Sequence, residues 1–148
     1  MLIGVPKEIY PGESRIAIIP SGIDALLSAG FEVVIQEGAG DKSHYDDDAY
    51  RNCGASIAPS AASLYEQADI ILKVRQPLEE VPLLKESSTL ICLLDAWFNV
   101  PLIKQLAQRK VRSFALEFIP RTTRAQSMDV LSSMGAISGY RSVLSGAM

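Results

Sequence analysis

Three places in the 148-residue sequence carry residue types able to do chemistry. The glycine-rich stretch EGAGDKS, Glu37 to Ser43, has the composition of a loop whose backbone amides cradle a phosphate. It fails on two counts. Ser43 stands where a third glycine would let helix and strand approach, and Asp46, Asp47 and Asp48 at the next helix start would repel a pyrophosphate. Turn chemistry is the expectation there. His44, the one histidine, lies beside these carboxylates, but consecutive residues point in different directions, so no metal site is expected. A Ser-His-Asp or Cys-His set cannot be assembled around it either. The arginines are more informative. Arg15 in KEIYPGESRIAIIP, and Arg121 and Arg124 in IPRTTRAQSMDVLSS, fall where loops leave the carboxyl ends of strands, the side of an open sheet that binds ligands. A guanidinium held there takes a planar partner, a carboxylate or a carboxamide; a surface ion pair is the plain alternative.

The elements that must position these residues follow from apolar runs alternating with amphipathic segments. Leu2–Val5, Glu32–Gln36, 70–74, 89–94 and 111–116 are almost continuously apolar, as strands covered on both faces of a parallel sheet should be. Between them the spacing predicts helices over 21–30, 46–52, 60–68 and 99–110. Ser21 with Asp24 offers a cap for the first, a three-turn helix that Gly30 stops. Asn99 offers a cap for the last, Pro101 is tolerated in its first turn, and Arg109 and Lys110 suit its negative end. Right-handed crossovers then give an α/β fold, a parallel doubly wound (flavodoxin/Rossmann-like) sheet with helices on both faces. A long amphipathic C-terminal helix is predicted from Arg124 to Leu144. Val130, Leu131, Met134 and Ile137 form its apolar face, and Gln126, Asp129, Ser132 and Ser133 lie opposite. Its many serines and glycines make it a weak helix by propensity, so it needs packing against something else.

The proportions are those of one globular domain: 48% hydrophobic, 21% charged, 10 glycines and 8 prolines. Fourteen basic against seventeen acidic residues, interspersed, give a net charge of −3 and no basic stripe for nucleic acid. No run has the roughly 18–20 apolar residues of a membrane span, and the N-terminus MLIGVPKE lacks the pattern of a signal peptide. Cys53 and Cys92, without CxxC spacing, read as buried thiols of a cytosolic protein.

The opening IGVPKE with ESRIAIIP, the EVVIQEGAG stretch, the LKVRQP strand end and above all PRTTRAQSMDVLSSMGAISGYRSV closely resemble one family. It is the N-terminal domain shared by alanine dehydrogenases and the alpha subunit of proton-translocating NAD(P) transhydrogenase. The likeness runs over essentially the whole chain, and RAQS, MDVLSS and GYR resemble the transhydrogenase branch. It implies an oxidoreductase component that positions nicotinamide for direct hydride transfer between NADH and NADP+, coupled to proton translocation. NAD(H) is the implied cofactor, with Arg121, Gln126, Asp129 and Ser132 at its nicotinamide end and Gln126 closest to the chemistry. Their types suit a carboxamide, since Arg and Gln donate to its oxygen while Asp and Ser accept from its NH2. Alanine dehydrogenases place a catalytic Lys and a catalytic His where this chain has Arg75 and Asp95. Arginine cannot shuttle a proton near neutral pH, so amino-acid dehydrogenation is disfavoured.

The resemblance further implies a homodimer, partner subunits that span the membrane and bind NADP(H), and a cytoplasmic place peripheral to the inner membrane. It also implies a second, Rossmann domain with GxGxxG. Residues 1–148 hold no such motif, so the chain is read as one domain, a truncation or one piece of a split subunit, inactive alone and weak or silent towards NADH. An alanine dehydrogenase-like fragment and a non-catalytic dimerisation or docking module are the alternatives.

Overall fold

A computed structural model describes residues 1–147 of the chain. Six parallel strands form one sheet: β1 (Leu2–Val5), β2 (Glu32–Gln36), β3 (Ser56–Ala58), β4 (Ile70–Arg75), β5 (Thr89–Leu93) and β6 (Arg112–Ala115). Their order across the sheet is β3-β2-β1-β4-β5-β6. The chain therefore reverses its direction of travel between β1 and β4, and the carboxyl ends of those two strands border the crevice that such a reversal opens. The doubly wound expectation holds. Helices α1 (Ile23–Ser28) and α2 (Asp47–Asn52) cover one face, where Ile23 and Tyr50 pack with Ile3, Val5, Val33 and Ile35. Helices α3 (Ala61–Gln67) and α4 (Val100–Gln108) cover the other, where Leu64, Leu102 and Leu106 pack with Val34, Ile71, Leu90 and Cys92. Neighbouring residues of β2 thus enter opposite cores, which explains why its sequence is apolar without alternation.

Several boundaries differ from the sequence expectation, each for a local reason. Strand β3 has only three residues, two of them small, and presents no apolar run to detect. The first helix is shorter than predicted: a 3-10 turn over Pro20–Gly22 precedes α1, and Ser21 does not cap it. Asn99 likewise makes no side-chain cap for α4, and the Arg109 guanidinium turns away from that helix to donate to the Leu84 carbonyl at 2.7 Å. Cys53 is half-buried rather than buried, whereas Cys92 is fully buried, and burial pushes its thiol pKa up.

The largest revision concerns the C-terminal helix. It does not start at Arg124: a separate 3-10 turn, Gln126–Met128, comes first, and α5 runs Val130–Gly146. Asp129 sets the break, because its carboxylate accepts from the Ser132 amide at 3.0 Å and so caps α5. Every residue from Leu131 to Ala147 is exposed, including Ile137, Tyr140 and Val143. The apolar face predicted for this helix exists in sequence but meets little of the domain beyond its first two turns.

The glycine-rich loop after β2 tests how tightly the loop structure is packed. A Cβ on Gly40 would lie 2.4 Å from the Tyr45 carbonyl oxygen and 2.8 Å from Tyr50 Cε2. Gly40→Ala should therefore cost about 2–3 kcal/mol in urea unfolding, the scale of forced overpacking. Gly135→Ala, with open space around it in α5, should instead stabilise by up to about 1 kcal/mol through helix propensity. Equal behaviour of the two variants would refute this packing account.

Candidate functional site

The segment after β6 turns three times in quick succession. A 3-10 turn over Leu116–Phe118 leads to Pro120, the Thr122 amide donates to the Pro120 carbonyl at 2.9 Å, and the Ala125 amide donates to that of Thr122 at 3.0 Å. Ala125 is buried and pins the loop, so the polar residues around it project outward. The result is a cavity of about 290 Å³ lined by Arg121, Thr122, Thr123, Gln126, Asp129 and Ser132. All four residues named from the sequence face it. They do so differently from the expected three-residue steps along one helix. Gln126 stands on its own 3-10 turn, Asp129 is the cap, and Ser132 occupies the first turn of α5.

The hydrogen bonds within the site fix which groups remain available. The Ser132 hydroxyl donates to Asp129 Oδ2 at 2.6 Å, so its proton is committed and its lone pairs are left to accept. That hydroxyl, then the Ser132 amide, and more weakly the Arg121 charge hold the Asp129 carboxyl below its ordinary range. Ser133 Oγ donates to the Asp129 carbonyl at 3.1 Å, which further anchors the cap. Arg121 and Gln126, both exposed, line the same cavity and bring donors. One cavity thus offers a fixed acceptor, an anion and two donor-bearing planar groups, a set that matches both ends of a primary carboxamide. Thr122 and Thr123 line the same cavity without having been expected there; the polar run between Arg121 and Arg124 is the signal that marks them.

Other sequence candidates resolve into structural roles. Arg15 makes a two-point ion pair with Glu13, at 2.8 Å from Nε and 2.6 Å from Nη2, and Arg75 Nε reaches the same carboxylate at 3.2 Å. Arg15's hydrogen bonds are the largest cause of a Glu13 carboxyl pKa lowered to about 2. The Arg75 guanidinium also lies 5.3 Å from the centroid of the Tyr10 ring. These arginines therefore clamp the loop after β1 to the end of β4. Arg124 is exposed. Asp95 is exposed in a left-handed turn with φ 52, steadied by the Glu117 carboxylate, which accepts from the amides of Leu94 and Ala96 at 3.0 Å each. His44 is exposed and left-handed at the end of a short 3-10 turn. The EGAGDKS loop behaves as a turn, with the Gly38 amide given to Asp47 Oδ1 at 2.9 Å and Asp46 capping α2.

A buried cluster at the strand reversal has no signature in the sequence. Lys73 on β4 is 2% exposed, and its ammonium lies 2.6 Å from Glu80 Oε1 and 3.5 Å from Glu8 Oε2. Glu8 is far from Lys73 and Glu80 in the chain, and Lys73 sits in a strand that is apolar apart from it and the terminal Arg75.

A family model described as the N-terminal domain of alanine dehydrogenase/PNT matches residues 4–138. The first of the polypeptides that make up the NAD(P) transhydrogenase alpha subunit of Rhodospirillum rubrum is 44% identical over 153 residues, covering 99% of this chain and 40% of that protein. Alanine dehydrogenase of Methanococcus maripaludis is 38% identical over 148 residues, with 99% of this chain and 39% of its own length covered. The crystal structure of a transhydrogenase from Sinorhizobium meliloti superposes with a TM-score of 0.95 at 38% identity, over 99% of this chain and 44% of that one. The chain thus spans less than half the length of each of these relatives.

Proposed function

Because the chain belongs to the alanine dehydrogenase/PNT N-terminal domain family, we propose that it supplies the nicotinamide-end half of the NAD(H) site in an NAD(P) transhydrogenase alpha subunit. The observation that carries this reading is the convergence of Arg121, Gln126, Asp129 and Ser132 on one cavity whose donors and acceptors complement a carboxamide. Arg121 and Gln126 donate to the amide oxygen, and Ser132 Oγ accepts from the NH2 because Asp129 holds its proton. Nicotinamide, when bound, supplies the ring carbon that gives or takes a hydride. The chain's task is to orient that ring, since direct transfer from NADH to NADP+ gives NAD+ and NADPH with no proton abstracted. Positioning of the reacting carbons at about 3–3.5 Å then carries the catalysis. A Rossmann domain would complete the cleft, and membrane and NADP(H)-binding partners would couple the transfer to proton translocation. Alanine dehydrogenation has less support, because Arg75 is tied to Glu13 and Tyr10 and cannot serve as a proton shuttle.

A homodimer or partner subunit would cover α5, whose exposed Leu131, Ile137, Tyr140 and Val143 favour docking as an accompanying role. Titrating the isotope-labelled chain with NADH tests the site. Amide shifts should be confined to residues 121–132, with affinity weaker than micromolar. Shifts centred on the EGAGDKS loop instead, or micromolar binding to the chain alone, would overturn the half-cleft reading.

A further inference from the structure

The buried cluster between β1 and β4 holds two carboxylates and one ammonium. Glu80 is well supplied: Oε1 accepts from Lys73 Nζ at 2.6 Å and from the Tyr65 hydroxyl at 3.1 Å, and Oε2 accepts from the Leu78 amide at 3.1 Å. Three donors thus converge on that one carboxylate. Glu8 is poorly supplied. Its Oε1 accepts from the Val74 amide at 2.6 Å, but Oε2 is buried with no hydrogen-bond partner, and Lys73 stands off at 3.5 Å. One ammonium paired with Glu80 leaves an ionised Glu8 as an excess buried charge, whereas a protonated Glu8 leaves the cluster neutral.

We infer that Glu8 is the proton-binding member of a lock that closes on acidification, joining the end of β1, the end of β4 and the Glu80 loop at the sheet's point of reversal. The inference stands apart from the nucleotide reading, which uses none of these residues. The groups around Glu8 come from every neighbouring element: Lys73 on β4, Glu80 in the loop after it, Arg15 in the loop after β1, Tyr65 on α3 and Cys92 on β5. Only Lys73 and Arg15 are cationic, and each is already paired with another carboxylate. When Glu8 ionises it competes with Glu80 for Lys73, and the loop that carries Glu80 loosens. Lys73 also lines a cavity of about 340 Å³ together with Val130 and Met134 from the start of α5.

Burial, only partly offset by Lys73 and by the backbone amides of Val74 and Arg75, raises the Glu8 carboxyl above its ordinary value of 4.5. The folded chain therefore holds this proton more tightly than the unfolded chain. Its stabilisation is full below 4.5 and is lost as pH rises through the raised value. The Glu13 carboxyl runs the other way. Lowered to about 2, it stabilises fully above 4.5 and fails only as pH falls towards 2. The window just above 4.5 thus isolates Glu8.

A pH titration of the Val74 amide by NMR on the whole chain reads this group directly, because that amide donates to Glu8. Its midpoint should lie above 4.5 and the movement should vanish in Glu8→Gln. Over the same window the wild-type unfolding temperature should fall, while that of Glu8→Gln stays flat. A Val74 midpoint at or below 4.5 would overturn the lock. So would a Glu8→Gln variant that keeps the wild-type decline. Should that variant not fold, the wild-type titration decides alone.

Discussion

Lys73→Met should lower the unfolding free energy by about 3–5 kcal/mol, a large share of the roughly 5–15 kcal/mol available to a domain of this size. The side chain lost is 2% exposed and is the only cation within 4 Å of Glu80 among the described residues. Methionine fills its volume but leaves Glu8 and Glu80 facing each other without a counter-charge. The loss should be greatest at high pH and shrink as Glu8 takes up its proton. Replacing all three charged members together, with Glu8→Gln, Lys73→Met and Glu80→Gln, should recover most of it, because apolar or neutral substitutes for a buried ion cluster are often close to neutral in energy. Urea unfolding of the two variants at several pH values checks this. If Lys73→Met cost less than about 1 kcal/mol at neutral pH, the cluster would not be holding β1 to β4.

How much of this is legible in sequence depends on whether the deciding contacts are local. Strands β1 and β2 can be read to the residue, because a strand buried on both faces must be apolar throughout, and α2 and α3 nearly so because Asp46 and Ser60 cap them in place. The start of α5 differs from its expected place because Asp129 can sit inside a helix by pattern but terminates one by hydrogen bonding, and only the Ser132 contacts decide between the two. The Arg15–Glu13–Arg75 clamp is half visible: a planar partner is expected for Arg15, but the sharing of Glu13 with Arg75 arises from the neighbouring of β1 and β4, which are far apart in sequence. Glu8's place beside Lys73 and Glu80 is invisible for the same reason. The four cavity residues are found through a motif resemblance, and chain geometry then supplies what the motif lacks, the direction of the Ser132 proton.

Gln126→Asn should slow hydride transfer about 10²-fold while changing NAD(H) affinity little. Asparagine keeps the carboxamide and its donors but withdraws them by one methylene from a cavity whose other walls do not follow: Asp129 and Ser132 are fixed by the α5 cap, and Thr122 by its turn. The ring would then be gripped with its amide displaced, and a misplacement near 1 Å costs about that factor in rate. Binding suffers less, because Arg121 and Ser132 still engage the same amide. The measurement needs the rest of the cleft. This chain can replace the matching 40% of the Rhodospirillum rubrum polypeptide, to which it is 44% identical, with the transfer rate followed at saturating nucleotide. Ser132→Ala in the same chimera should slow transfer too, but with weaker binding, since it removes the acceptor itself. A Gln126→Asn rate within twofold of the parent would mean that this side chain does not touch the ring's amide, and the positioning role would pass to Arg121 alone.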